Sequence, residues 1–234
     1  MVKPFYPFPP GLVEAFFIRR LNRFSAQLLQ GEELLLVLVP SSGRMAELLA
    51  KGARVWFSPH GGDRKTRGRL LVVQHGDVLV SIDSNLPNKL TALALEGEAL
   101  SPFVGYRKIK GEYGLGSSRF DFYLEGPRGQ RLLLEVKSVT LVKSGVGLFP
   151  DAPTSRGTRH LQELRQRVLE GWEGAVLFVV QREDAHSFAP NEAQDPAFAQ
   201  ALRKAAEAGV YVGAVGCRVT LKGVKMEGLL PVKL

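Results

Sequence analysis

Apolar and polar positions change rhythm about halfway along the chain. The first part favours a period of two. Residues 34–39 are a continuous apolar run entered through Gly31-Glu32-Glu33, and residues 53–58 alternate until Pro59. Residues 69–74 and 78–82 flank His75-Gly76-Asp77, a hairpin pattern. Residues 16–30 fit a helix or a strand. Several short strands joined by glycine-rich turns predict a small barrel or sandwich. Residues 88–100 have helix-forming composition and stop short of Pro102. The expected division is therefore a first domain over 1–95 and a second over 96–234.

In the second domain strands alternate with helices. Strands are predicted over 120–124, 131–139, 175–181 and 210–219. Helices are predicted over 154–172, with Thr154 or Ser155 as N-cap, and over 196–208, with Pro196 in the first turn and Gly209 ending it. This alternation predicts an α/β core around a mixed sheet.

Charge adds a partner class. The 234 residues carry a formal charge of +8, and the pI is about 9.7. A basic protein attracts polyanions, nucleic acid foremost. Residues 64–69 hold Arg64, Lys65, Arg67 and Arg69 with no acid, and Arg19, Arg20 and Arg23 recur nearby. Either group could grip phosphates or simply be solvated. Phe24, Trp56 and Phe57 could stack on bases or fill a barrel core. The lone Cys217 excludes an internal disulfide and a cysteine zinc site. The proline-broken N-terminus is unlike a secretory leader and no apolar run is long enough to span a bilayer, so a cytoplasmic protein without membrane contact is expected.

The candidate chemistry lies in two predicted strands, Arg119-Phe-Asp-Phe-Tyr-Leu124 and Arg131-Leu-Leu-Leu-Glu-Val-Lys137, joined through Glu125-Gly-Pro-Arg-Gly-Gln130. Alternation sends Phe120, Phe122 and Leu124 one way and Asp121 the other, with Glu135 and Lys137 sharing a face. Folding the hairpin symmetrically about Arg128 sets Asp121 across from Glu135, with Cβ atoms about 5 Å apart. Two carboxylates so close repel unless a cation lies between them, and a hard ion such as Mg²⁺ or Mn²⁺ suits them. Lys137 would then help position a water attacking a phosphodiester. The same spacing also fits an exposed strand with its charges in solvent. On the helix after this hairpin, Arg156, His160, Glu163 and Arg167 share one stripe, Glu163 and Arg167 reading as a surface pair. Asp151 reads as a further ligand or as a turn residue.

The Asp…Glu-x-Lys segment resembles the PD-(D/E)xK nuclease superfamily. Nearly the full chain resembles the SfsA family, the sugar fermentation stimulation proteins, through Ser118-Arg-Phe-Asp-Phe122, Leu134-Glu-Val-Lys-Ser-Val-Thr140, Phe149-Pro-Asp-Ala152, Thr154-Ser-Arg-Gly-Thr-Arg-His-Leu161, Arg20-Leu-Asn-Arg-Phe24 and Leu230-Pro-Val-Lys-Leu234. The resemblance implies an N-terminal OB-like β-barrel and a C-terminal restriction-endonuclease-like α/β domain. It implies DNA or RNA as partner and a Mg²⁺- or Mn²⁺-dependent nuclease, or alternatively a non-cleaving DNA-binding regulator of sugar-metabolism genes. It assigns Asp121, Glu135 and the Val136 carbonyl to the metal and Lys137 to catalysis. The nucleic-acid contacts are expected from Arg19, Arg23, Arg44, Arg64, Lys65, Arg67, Arg119, Arg156 and His160. A homodimer is compatible with all of this. Two features depart from the family pattern. Glu112, the nearest upstream acid, sits among glycines and not on a helix, and Ser41-Ser42-Gly43 stands where Asn-Thr-Gly is expected.

Overall fold

A computed structural model describes residues 3–62, 65–116 and 118–234. Strand β1 (Phe5–Pro7) joins the C-terminal sheet, after which the chain builds a barrel from β2 (Val13–Asn22), β3 (Ser25–Gln30), β4 (Glu33–Leu38), β5 (Arg54–Pro59) and β6 (Gly68–His75), with β7 (Val78–Ser81) added on β6. The open segment 16–30 is thus two strands. Ala15 and Phe17 of β2 and Ala26 and Leu28 of β3 point into the core with the period of a strand. The Asn22 side chain accepts the Phe24 N–H at 2.8 Å and turns the chain between them.

The barrel closes where β4 meets β6 in parallel, at Val37↔Gly68 and Leu38↔Arg69. Gly68 is required there: a Cβ would stand 2.5 Å from the Phe57 ring and from the Ser58 carbonyl oxygen. Its lining (Phe17, Leu28, Val37, Val55, Phe57, Leu70, Val73) forms a separate core.

Helix α1 (Leu86–Glu96) leads into the second half. That half comprises β8 (Lys108–Leu115), β9 (Ser118–Glu125), β10 (Arg131–Val139), β11 (Leu141–Lys143), β12 (Val146–Phe149), α2 (Ser155–Leu169), β13 (Glu173–Val180), β14 (Ser187–Pro190), α3 (Pro196–Glu207), β15 (Tyr211–Thr220) and β16 (Gly223–Leu230). The main sheet has the order β1-β16-β15-β13-β10-β9-β8, and β11-β12-β14 form a small one. Strands β10, β13 and β15 are parallel, linked by α2 and α3 as crossovers. Central β13 shows why: Ala175, Leu177 and Val179 enter the core shared with α1, while Val176, Phe178 and Val180 enter the core under α2 and α3. A strand buried on both faces reads as an unbroken apolar run.

Helix ends obey side-chain chemistry. Thr154 caps α2 by accepting from Gly157 N at 3.1 Å, and Asp195 caps α3 by accepting from Phe198 N at 3.0 Å. The other Asp195 oxygen accepts from Thr154 N at 2.8 Å, so one carboxylate fixes the starts of both helices. No helix among the described residues is long and apolar enough to cross a membrane.

The two halves share a core. Trp56, Leu71 and Val72 of the barrel lie in one apolar cluster with Leu86, Leu90, Leu134, Val136, Leu177 and Val215. Ser81 N donates to Gln181 O at 3.1 Å across the junction.

Candidate active site

The β9–β10 hairpin keeps the symmetric register from Arg131↔Glu125 to Leu134↔Phe122 and there its ladder stops. Asp121 is the next residue. Its Oδ2 accepts from Val136 N at 2.7 Å, so the carboxylate takes a backbone N–H on the edge the ladder has vacated. Its Oδ1 accepts from Asn88 Nδ2 of α1, also at 2.7 Å. The even alternation expected across this strand does not hold. Phe122 and Leu124 enter the core shared with α1, whereas Phe120 enters the core under α2. The physical reason lies on β8, where Glu112 has a left-handed backbone (φ 54°) and the ladder skips the position facing Asp121.

Glu135 is 4% exposed and points to the α2 side of β10. Its Oε1 is paired with the Lys137 ammonium and lies 2.6 Å from His160 Nδ1. Its Oε2 is buried and has no partner. Burial pushes the Glu135 carboxyl up, but the His160 hydrogen bond and the Lys137 charge outweigh it and hold the group below the usual carboxylate range. Asp121 is moved the other way, first by burial and then by the charge of Glu135. Each carboxylate is thus held in a poorly solvated place, and the neighbouring charge disfavours ionisation of Asp121.

His160 is buried on α2. Arg156 Nε lies 3.5 Å from its Nε2. Because a guanidinium can only donate, Nε2 accepts and Nδ1 carries the hydrogen toward Glu135. Asp121, Glu135, Lys137, Arg156 and His160 are therefore gathered. The Glu163–Arg167 surface pair is not formed: Glu163 faces Arg159 at 3.9 Å and Arg167 binds Glu170 at 2.7 Å. A helix offers several partners at i±3 and i±4, and the stripe alone does not choose among them.

Asp151 serves a third purpose, a tie between the halves. Its Oδ2 accepts from Met45 N at 3.0 Å. Arg20, read from the sequence with Arg19 and Arg23 as a basic group that could grip phosphates, instead anchors the same place. Its guanidinium donates to the carbonyls of Arg23 (2.6 Å), Ser41 (2.6 Å), Arg44 (3.2 Å) and Gly43. The Ser41-Ser42-Gly43 segment is thus held by its backbone. Arg19, Arg23, Arg44, Lys65, Arg67 and Arg156 are exposed, and Arg19 Nε donates to Gln27 Oε1 at 2.7 Å. Arg119 is exposed but paired with Glu112 at the β8–β9 edge. Arg64 lies outside the described residues. Trp56 and Phe57 are buried in cores, while Phe24 is 56% exposed.

Asn88 and Gln181 escaped sequence reasoning, and so did the anchoring role of Arg20. Asn88, Arg20 and Gln181 act over separations of 33, 23 and 43 positions, through Asp121, Gly43 and Ser138 respectively. Arg20 alone left a signal, within a basic cluster.

A five-stranded OB barrel followed by a restriction-endonuclease-like α/β domain, with two carboxylates and a lysine where the ladder of the β9–β10 hairpin ends, defines the class of fold. Residues 18–82 match the family model described as the SfsA N-terminal OB domain, and residues 85–223 match that of the sugar fermentation stimulation protein RE domain. The chain belongs to the SfsA, or sugar fermentation stimulation protein, family. The homolog from Desulforamulus reducens is 48% identical over 225 residues, covering 96% of this chain and 94% of its own. That from Moorella thermoacetica is 44% identical over 228 residues, covering 97% and 98%. The solved structure of Pyrococcus furiosus SfsA in complex with Ca²⁺ aligns over 100% of both chains with a TM-score of 0.91 and 29% identity.

Proposed function

We propose that the protein is a divalent-cation-dependent nuclease that hydrolyses phosphodiester bonds in DNA or RNA. The observation that carries this reading is the buried, unpartnered Oε2 of Glu135 beside an Asp121 whose ionisation Glu135 opposes. An orphaned buried carboxylate oxygen costs free energy, and a cation shared by both acids would relieve it. Hard oxygen donors fit Mg²⁺ or Mn²⁺, and the related Pyrococcus furiosus protein was solved with Ca²⁺. In a strand the N–H and C=O of one residue face the same edge. Since Val136 N–H faces Asp121, its carbonyl is directed to the same gap and can complete the donor set. Among the described residues no three His, Cys, Asp or Glu side chains gather as a metal cluster, so this backbone oxygen and waters are needed.

A bound ion would supply Lewis-acid stabilisation of charge on a phosphoryl oxygen. The chain's own groups do the rest. Lys137, anchored on Glu135, presents an ammonium to the reacting phosphate or to the attacking water. His160 fixes the orientation of Glu135, and Arg156 at the mouth can hold a phosphate.

The test is cleavage of labelled single- and double-stranded DNA and RNA with Mg²⁺ or Mn²⁺. Wild type should cut at least one substrate. Lys137→Ala should lose about 100-fold or more in rate while binding in EDTA persists. No cleavage of any substrate with either ion, or an undiminished Lys137→Ala, overturns the proposal. A second reading, a DNA-binding regulator that does not cut, is favoured by one observation: Glu135 Oε1 is already taken by Lys137 and His160. The same assay separates the two.

A further inference from the structure

We infer that Asn88 of α1 is the positioning residue of the cation site: its side-chain amide holds the Asp121 carboxylate in the orientation that receives a divalent ion. The inference rests on the proposed function in one respect, that Asp121 is a cation ligand, and it does not require cleavage.

Strand β9 alone does not aim Asp121. The β9–β10 ladder ends at Leu134↔Phe122, and the β8–β9 ladder passes from Gly111↔Phe122 to Tyr113↔Phe120 without pairing at Asp121. The χ2 torsion of an aspartate is broad, so a carboxylate held through one oxygen swings about that contact. Here both oxygens are held. Val136 N donates to Oδ2 at 2.7 Å and Asn88 Nδ2 donates to Oδ1 at 2.7 Å. Two donors, one from the sheet and one from the helix, fix the plane of the group. Each carboxylate oxygen has two acceptor sites, so both contacts leave room for an ion.

Helix α1 is itself tied to the barrel. Ile82 N donates to Leu71 O of β6 at 3.0 Å. Asp83 Oδ1 accepts from the Arg69 guanidinium at 2.7 Å and from the N–H of Asn85, the N-cap of α1, at 3.0 Å. Leu86, Leu90, Ala94 and Leu95 then pack in one core with Leu134 and Val136 of β10. Asn88, half-buried in the first turn, thus reaches Asp121 from an element that cannot slide over the sheet without opening that core. The barrel contributes to the site without entering it: Arg69 and Asp83 set where α1 starts, and α1 sets Asp121.

The choice of an amide has a chemical consequence. A lysine or arginine in its place would also donate, but it would neutralise Asp121 and compete with the ion. An ionised aspartate could not donate and would add a further negative charge beside Asp121 and Glu135. The first turn of α1 carries no acid. A neutral donor orients the carboxylate and leaves its charge for the ion. Outer partners of this kind are worth about 10–100-fold in metal affinity.

The experiment is a Mn²⁺ titration of the full chain at pH 7.5, with the free ion read by electron paramagnetic resonance. Asn88→Leu, close in size but without a donor, should raise the Kd about tenfold, and Asn88→Ala should raise it likewise. On an Asp121→Ala background, itself weaker than wild type, Asn88→Leu should change the Kd by less than about twofold, because the group it positions is gone. A general loosening of α1 would weaken binding in both backgrounds. An unchanged Mn²⁺ affinity in the two Asn88 variants, or an equal loss with Asp121 absent, overturns the inference and leaves the nuclease reading standing. Mn²⁺ binding that depends on Asn88 through Asp121, with no cleavage of any substrate, removes the nuclease reading and leaves this inference. A wild type that binds no Mn²⁺, or binds it equally well without Asp121, removes both.

Discussion

Replacing Glu135 by Gln isolates the charge at the centre of the site. The substitution keeps side-chain size, and a Gln oxygen can still accept one hydrogen bond. It removes the counterion of Lys137, whose side chain is 14% exposed beside a Glu135 side chain 5% exposed. Taking one partner from a buried ion pair costs about 3–5 kcal/mol, because the other charge is left in a poor solvent. Lys137 keeps some access to water and one acceptor, so the metal-free protein should lose about 2–3 kcal/mol. For a chain of this length each kcal/mol moves the midpoint by about 2–4 °C, which gives a fall in Tm of about 4–12 °C. Lys137→Met on the Glu135→Gln background removes both charges and should restore at least half of that loss. Thermal unfolding in EDTA at pH 7.5, followed by circular dichroism, measures Glu135→Gln, Lys137→Met, the double variant and wild type as a double-mutant cycle. If Glu135→Gln melts with wild type, or if the double variant is no more stable than the single one, the two side chains are not coupled and the electrostatic account of the site is wrong.

Asp121→Asn should act in the opposite sense. A carboxyl whose folded pKa is raised, here by burial and then by Glu135, destabilises the fold once pH exceeds its unfolded value, so the variant should gain on the order of 1 kcal/mol at pH 7 and nothing near pH 3. Urea unfolding across that range checks it, alongside a loss of Mn²⁺-induced stabilisation. The depressed Glu135 gives the converse: its contribution is present above the ordinary carboxylate value and disappears as pH falls through its lower folded value. Arg20→Ala should cost about 2–4 kcal/mol, since hydrogen bonds from a charged donor each contribute about 1.5–3 kcal/mol and water can replace part of them. Amide exchange over residues 40–45 should quicken more than elsewhere in the barrel, and unaltered exchange there would dismiss the anchoring role of Arg20.

Much of this architecture can be read along the chain because it is written in local periodicity. Strand β10 runs over the expected residues, and the hairpin folds about Arg128 because Gly126, Gly129 and the Gln130 side chain close a tight turn. Helix α3 begins at its proline as helix chemistry requires. Strand β14, with Phe188 at its centre, and the other short strands of the third sheet gave no signal, being too short for any period to emerge. Strand β8 hides for another reason: its glycines and the left-handed Glu112 break the alternation. At the site, the pairing of Glu135 with Lys137 comes from their spacing. Asn88, by contrast, meets Asp121 only because a helix laid on one face of the sheet brings them together. The preference of Glu163 for Arg159 is likewise settled by packing.

The apolar cluster that joins Trp56, Leu71 and Val72 to the underside of the main sheet makes this a poor candidate for modular shuffling. Cut between the halves, either fragment would bare a greasy wall and become sticky, the barrel at Trp56 and the sheet around Val215. The two parts should therefore fold as a couple.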